Sequence, residues 1–210
     1  MPPVLALYED VLSNGAELAL PAAARMIFLV HGQARIGERA LSDGETWHGE
    51  AAATIIASET GATCWRYELA ASPAKAGVHS REKLAVALDT LPAGELLLRG
   101  DSVAFPPGGC AYRHTHQGPG IRCLLEGGIR IDTAGRSTSY GPGGAWYESG
   151  PEPVFAQAAD RVSRFIRVMI LPRAFLGKSS LQLVDPADAQ KPRAQQYQIF
   201  ADIPIARPRG

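Results

Sequence analysis

The sequence predicts an all-β protein made of two related units, and three observations lead there. Helical periodicity is scarce, while short runs rich in β-branched and aromatic residues recur between Gly and Pro punctuation. Gly (22) and Pro (16) together make 38 of the 210 residues, where average usage gives roughly 25, so many turns and short strands are expected. The chain also repeats itself: FLVHGQARIGERALSDGETWHG at 28–49 aligns with CLLEGGIRIDTAGRSTSYGPGGAWYE at 123–148.

The expected strands follow in order: MIFLV at 26–30, TIIAS at 54–58, TCWRYEL at 63–69, ELLLRG at 95–100, IRCLL at 121–125, RFIRVMIL at 164–171 and QQYQIFADI at 195–203. Residues 81–88, REKLAVAL, read either as a helical turn or as a strand. In the repeat, Gly32 falls on Gly127, Gly44 on Gly143 and Trp47 on Trp146; four extra residues in the second copy fit a longer hairpin tip at 133–137. Both copies then run into an Arg-bearing strand, with Arg66 in the first and Arg167 in the second. Shared Gly and Trp positions in one order favour duplication over chance likeness of hairpins. The expected boundaries are 1–90 and 91–210, the second unit ending in a Pro-rich wrap.

Charge excludes several functions. Lys plus Arg (21) balance Asp plus Glu (21), which removes the electrostatic basis for a nucleic-acid or anionic-membrane partner. The longest apolar run, at 26–30, is far too short to span a bilayer, and MPPVLALYED meets Glu9 and Asp10 before any secretion signal could form. Cys64, Cys110 and Cys123 cannot all pair and lack CxxC spacing, so free thiols and a cytoplasmic setting are expected.

The chemistry concentrates at Tyr112-Arg113-His114-Thr115-His116. In a strand, residues i and i+2 share a face, so His114 and His116 present two imidazoles to one side, as cis ligands of one metal ion would stand. The alternative is a pair of surface imidazoles. A third protein ligand must come from elsewhere, and imidazole plus carboxylate suits Fe, Mn, Zn, Ni or Cu.

The stretch at 108–127, GGCAYRHTHQGPGIRCLLEG, resembles the first motif of the cupins, and YGPGGAWYE at 140–148 resembles their second. The resemblance implies double-stranded β-helix (jelly-roll) barrels in tandem, a bicupin, whose first copy is degenerate: aligned on the Gly turns, the places of His114 and His116 fall on Ala19 and Pro21. It also exposes two departures. The first motif's Glu is replaced by Gly120, and the second motif's His by Tyr147. Glu148, the next residue, would complete a 2-His-1-carboxylate set with His114 and His116, an arrangement associated with non-haem Fe(II).

In a regular strand only one of Tyr147 and Glu148 faces the barrel: either Glu148 is a ligand, or Tyr147 points inward as a hydrogen-bonding or proton-transfer group. Arg122 and Arg113 are candidates to bind a substrate carboxylate, or else outward strand residues. The resemblance implies a metal-dependent enzyme acting on a small organic molecule, of the Fe(II) dioxygenase kind, as a monomer or homodimer. The competing expectation is a non-catalytic small-molecule sensor.

Overall fold

The computed structural model describes residues 2–72 and 77–208. By contacts the chain divides into two compact units, Met1–Thr90 with Ile205–Gly210, and Leu91–Pro204.

The first unit contains β1 (Val4–Leu12), β2 (Glu17–Leu20), β3 (Ala24–Ile36), β4 (Arg39–Ser42), β5 (Thr46–Gly49), β6 (Ala53–Ala70) and β7 (Ser80–Ala87). They form one antiparallel sheet in the order β4-β3-β6-β1-β7, with β2 on β6 and β5 on β3. The two runs expected as separate strands at 54–58 and 63–69 belong to one 18-residue strand, β6. Gly61 explains the difference: at φ +75° it lets the chain deform without turning back, and a Cβ there would lie 2.8 Å from the Leu12 carbonyl oxygen. The ambiguous 81–88 segment is mostly β7, where antiparallel pairing with β1 overrides its helix-favouring composition.

The second unit contains β8 (Leu96–Phe105), β9 (Cys110–His116), β10 (Gly120–Glu126), β11 (Ile129–Thr133), β12 (Arg136–Tyr140), β13 (Ala145–Glu148), β14 (Val154–Ala158), β15 (Ser163–Pro172), β16 (Leu181–Leu183) and β17 (Gln196–Ile205). Two five-stranded sheets result, β13-β10-β15-β8-β17 and β12-β11-β14-β9-β16. Side chains from both close over one apolar core that includes Phe105, Leu124, Ile131, Trp146, Val154 and Phe165. Trp146 meets Phe165 edge-on at 5.3 Å between ring centres and stacks on Tyr140 at 4.9 Å, the geometries that aromatic quadrupoles favour.

The repeat is legible in backbone detail. Gly32 and Gly127 have φ of +91° and +86°, and a Cβ would come within 2.2 Å of the Gly61 carbonyl oxygen in one copy and 2.3 Å of the Val162 carbonyl oxygen in the other. No other residue fits either place. The turns match as well: Leu29 N donates to Glu45 O while Gly44 N donates to Leu29 O, and Leu124 N donates to Gly144 O while Gly143 N donates to Leu124 O.

Candidate metal centre

Strand β9 delivers the two imidazoles. Its inward residues alternate with outward ones, so His114 and His116 are buried while Thr115 between them is half-buried and Arg113 before them is exposed. Register ties both down: His114 stands opposite Val154 of β14 and Leu183 of β16, and His116 opposite Leu181. Their rings meet edge-on with centres 4.9 Å apart.

Strand β13 delivers the acid. Trp146 and Glu148 are buried and Tyr147 between them is half-buried, so ordinary alternation gives the inward place to Glu148. Glu148 pairs in register with Gly120, the position where the cupin resemblance leads one to look for the first motif's carboxylate. At Gly120 a Cβ would lie 2.6 Å from the Val168 carbonyl oxygen and 2.9 Å from Nη1 of Arg122. The backbone thus leaves no room for a side chain at 120, and the carboxylate comes from the facing strand.

Two arginines enter from β10 and β15. Arg122 and Arg167 are cross-strand neighbours, and both are buried. Arg122 Nη1 donates to Gly120 O at 2.7 Å, and its Nη2 lies 2.7 Å from Glu148 Oε2. That ion pair is close but misaligned: neither Nη2 nor Oε2 completes a hydrogen bond. Glu148 Oε1 instead accepts from the Trp146 indole N–H at 2.9 Å. Arg167 makes a two-pronged bond to Asp101 of β8 at 2.9 and 2.6 Å, and its remaining nitrogen Nη1 points at His116 Nε2, 3.4 Å away.

These partners determine the imidazole tautomers. The Tyr112 carbonyl, 2.7 Å from His114 Nδ1, can only accept, so Nδ1 carries the proton and Nε2 presents a lone pair. Arginine can only donate, so His116 Nε2 is the acceptor towards Arg167 and Nδ1–H turns to Ser180 Oγ at 3.3 Å. Burial holds the His114 pKa below its ordinary value. His116 is held well below it, by burial and by the guanidiniums of Arg167 and Arg122. Both rings are therefore neutral at physiological pH. Burial also pulls Arg122 down to about 10 against the opposing pull of Glu148.

The donor chemistry fits a divalent transition metal: two neutral imidazoles and a buried carboxylate oxygen without a hydrogen bond. The void among His114, His116, Arg122, Glu148 and Arg167 measures about 20 Å³, enough for one ion or one water. The positions are not those of a closed ligand set. Glu148 Oε2 lies 3.7 Å from His116 Nε2 but 2.7 Å from Arg122, and among the described residues no three His, Cys, Asp or Glu side chains gather around one point.

A larger chamber of about 300 Å³ opens beside this void, sharing with it Ala111, His116, Arg167, Leu181 and Tyr197. Its far wall comes from the C-terminal wrap and includes Lys178, Arg193 and Ile199.

Of the residues expected at the site, His114, His116, Glu148 and Arg122 come together. Tyr147 lies on the other side of β13 and lines neither cavity, because its neighbours Trp146 and Glu148 take the inward places. Arg113 faces outward. Sequence reasoning missed Asp101, Arg167 and Arg99 as site residues. The signal was there: Arg99 and Asp101 stand two apart within the apolar strand LLLRGDSVAF, so both must share one buried face.

In the first unit the corresponding places carry no ligands. Ala19 and Pro21 stand for the histidines, Ile27 for Arg122 and Gly49 for Glu148. A buried ionic network fills part of that barrel instead. Arg66 forks onto Asp10 at 2.7 and 3.0 Å and reaches Glu68 at 2.6 Å, while Arg25 bonds Glu68 at 2.8 Å and the Pro21 carbonyl.

No protein-family model matches the sequence, and no curated protein sequence matches it. Solved structures share its fold. Oxalate decarboxylase from Bacillus subtilis, in a structure concerned with its Mn(II) centres, aligns with TM-score 0.64 at 13% identity over 90% of this chain and 73% of that one. A salicylate 1,2-dioxygenase from Pseudaminobacter salicylatoxidans aligns with TM-score 0.57 at 10% identity over 94% and 75%. A cupin 2 conserved barrel domain protein from Leptotrichia buccalis aligns with TM-score 0.51 at 14% identity over 80% and 84%.

Proposed function

From a chain that has the bicupin fold of the cupin superfamily, we propose a metal-dependent enzyme acting on a small organic molecule in the second barrel, of the Fe(II) dioxygenase kind. One observation carries this reading: His114, His116 and Glu148, whose Oε2 has no hydrogen bond, line an atom-sized void that adjoins a ligand-sized chamber. His114 and His116 would hold the metal once Arg167 Nη1 releases His116 Nε2, with Glu148 as third ligand once its Oε2 turns from Arg122. The metal would supply Lewis acidity and open positions for oxygen and for a substrate oxygen atom. Iron suits two imidazoles and one carboxylate; manganese, zinc, nickel and copper share the donor preference.

The chain's own groups have separable tasks. The Trp146 N–H holds one carboxylate oxygen and leaves the other to swing. Asp101 holds Arg167 so that Nη1 faces the chamber side of His116, within reach of an anionic substrate group. Phe105, Trp146 and Phe165 form an apolar wall that excludes bulk water.

The test is metal analysis of protein purified without added metal, then oxygen consumption with candidate organic acids. The expected result is one equivalent of a transition metal, lost in His114→Ala/His116→Ala. Metal content that is nil in the parent protein or unchanged in that variant overturns the reading. A non-catalytic ligand sensor is favoured by a different observation, the Arg122–Glu148 ion pair, which already satisfies the carboxylate's charge without a metal. Ligand binding with no turnover in the metal-loaded protein would select it.

A further inference from the structure

The chamber beside the imidazoles is walled on its outer side by chain that follows β15. Two cations stand there. Lys178 and Arg193 line the chamber, both are exposed, and neither has an ion-pair partner within 4 Å among the described residues. Both are held by built structure. Arg99, itself buried, forks onto Asp202 at 2.9 and 3.0 Å and donates to the carbonyls of Lys178 at 2.6 Å and Phe175 at 2.7 Å. Asp202 in turn accepts from Gly177 N at 2.8 Å, so the turn bearing Lys178 is clamped to β8 and β17. Two residues after Arg193, the Gln195 amide bonds the Cys110 carbonyl at 2.6 Å, tying that segment to β9.

The charge balance gives these cations a purpose. Around the imidazoles, Arg122 and Arg167 are matched by Glu148 and Asp101, so the inner end is neutral while both rings are neutral. Lys178 and Arg193 add two unmatched positive charges at the rim, and a divalent cation on the imidazoles would add two more at the floor. Between them the wall is apolar, from Leu181, Leu183, Tyr197 and Ile199. A volume of about 300 Å³ is at the small end of ligand pockets and larger than a bare inorganic anion requires.

We propose that this chamber binds a small organic dianion, an acid with an apolar or aromatic body and two anionic groups, and that Lys178 and Arg193 are its specificity-determining residues. The outer anionic group meets Lys178 and Arg193. The body lies along Leu181 and Ile199, and the inner group reaches Arg167 Nη1 beside His116. This ligand class rests on the proposed function only for the floor; the rim cations and the apolar wall do not depend on a metal.

Calorimetric titration of the full chain, as purified and after chelator treatment, with phthalate, benzoate, benzamide and inorganic phosphate tests the proposal. Phthalate is expected to bind at least about tenfold more tightly than benzoate, with an affinity that falls as salt rises, and benzamide more weakly than either. Lys178→Gln/Arg193→Gln, at two exposed positions, is expected to remove that tenfold advantage and to leave benzoate within about threefold of the parent. Equal binding of phthalate and benzamide, an unchanged phthalate affinity in the double variant, phosphate binding as tightly as phthalate, or no binding by any probe each overturns it. Phthalate binding that depends on Lys178 and Arg193 in protein without metal would uphold this proposal while the metal reading failed. Metal bound at His114 and His116 with no phthalate binding would do the reverse.

Discussion

Arg122 and Glu148 hold each other in the barrel, each depriving the other of a better partner. Removing the guanidinium alone leaves a buried carboxylate uncompensated, which in comparable sites costs about 3–5 kcal/mol. Chelator-treated Arg122→Met should therefore lose stability on that order in urea unfolding. Adding a divalent transition metal should restore a larger part of it than the same metal adds to the parent, because Glu148 is then free to ligate. A variant that metal does not rescue would count against Glu148 as a ligand.

The imidazoles make a second residue-level prediction. Burial lowers the pKa of both His114 and His116 in the folded chain, so unfolding takes up protons once the medium falls below their ordinary value near 6.5. Their contribution to stability is complete above that pH and is lost as pH falls towards the folded values. The unfolding midpoint of chelator-treated protein should drop between about pH 7.5 and 5.5, and His114→Gln/His116→Gln should flatten that slope. His48, also lowered by burial, should leave a residual slope. An identical slope in parent and variant would mean the two rings are not buried neutral.

At the scale of the element, the matched glycines, Gly32 within β3 and Gly127 directly after β10, carry the repeat. Gly32→Ala and Gly127→Ala each force a positive φ on a residue with a Cβ and drive that Cβ into a carbonyl oxygen. Each should destabilise its unit by about 1–3 kcal/mol or more, read from denaturant midpoints. Losses well below 1 kcal/mol at both would mean that the sheets yield there. These positions were visible in the sequence because a backbone place that admits only glycine leaves a fixed mark. The continuity of β6 was not visible: a glycine at 61 looks the same whether it ends a strand or deforms one, and only the approach of the Leu12 carbonyl decides between them.

Across the whole molecule the two units divide the chemistry. The candidate ligands His114, His116 and Glu148 lie in the second, while the first holds an aliphatic core around Leu20, Ile27, Leu29 and Ile55 and a charge-balanced network of Asp10, Arg25, Arg66 and Glu68. A metal stabilises what it binds in proportion to occupancy. Hydrogen exchange should therefore slow on metal addition in β9, β10 and β13 and stay unchanged in β1, β3 and β6. Equal protection in both units would place the ion elsewhere.

How much could be read beforehand follows from the range of the interactions concerned. Strand alternation has a period of two and acts between neighbours, so TyrArgHisThrHis at 112–116 announced two imidazoles on one face, and Gly32, Gly44, Gly127 and Gly143 announced a duplicated hairpin. Which of Tyr147 and Glu148 turns inward was open, because alternation sets the period and leaves the phase to packing. Trp146 against Phe165, and Gly120 across the ladder from Glu148, set that phase. The pairing of Arg167 with Asp101, 66 residues away, and of Arg99 with Asp202, 103 away, arises where strands distant in the chain become neighbours in a sheet. Local pattern thus determined the strands, the duplicated hairpin and the paired histidines. The charges that surround those histidines were decided only when folding brought remote strands to within hydrogen-bonding distance.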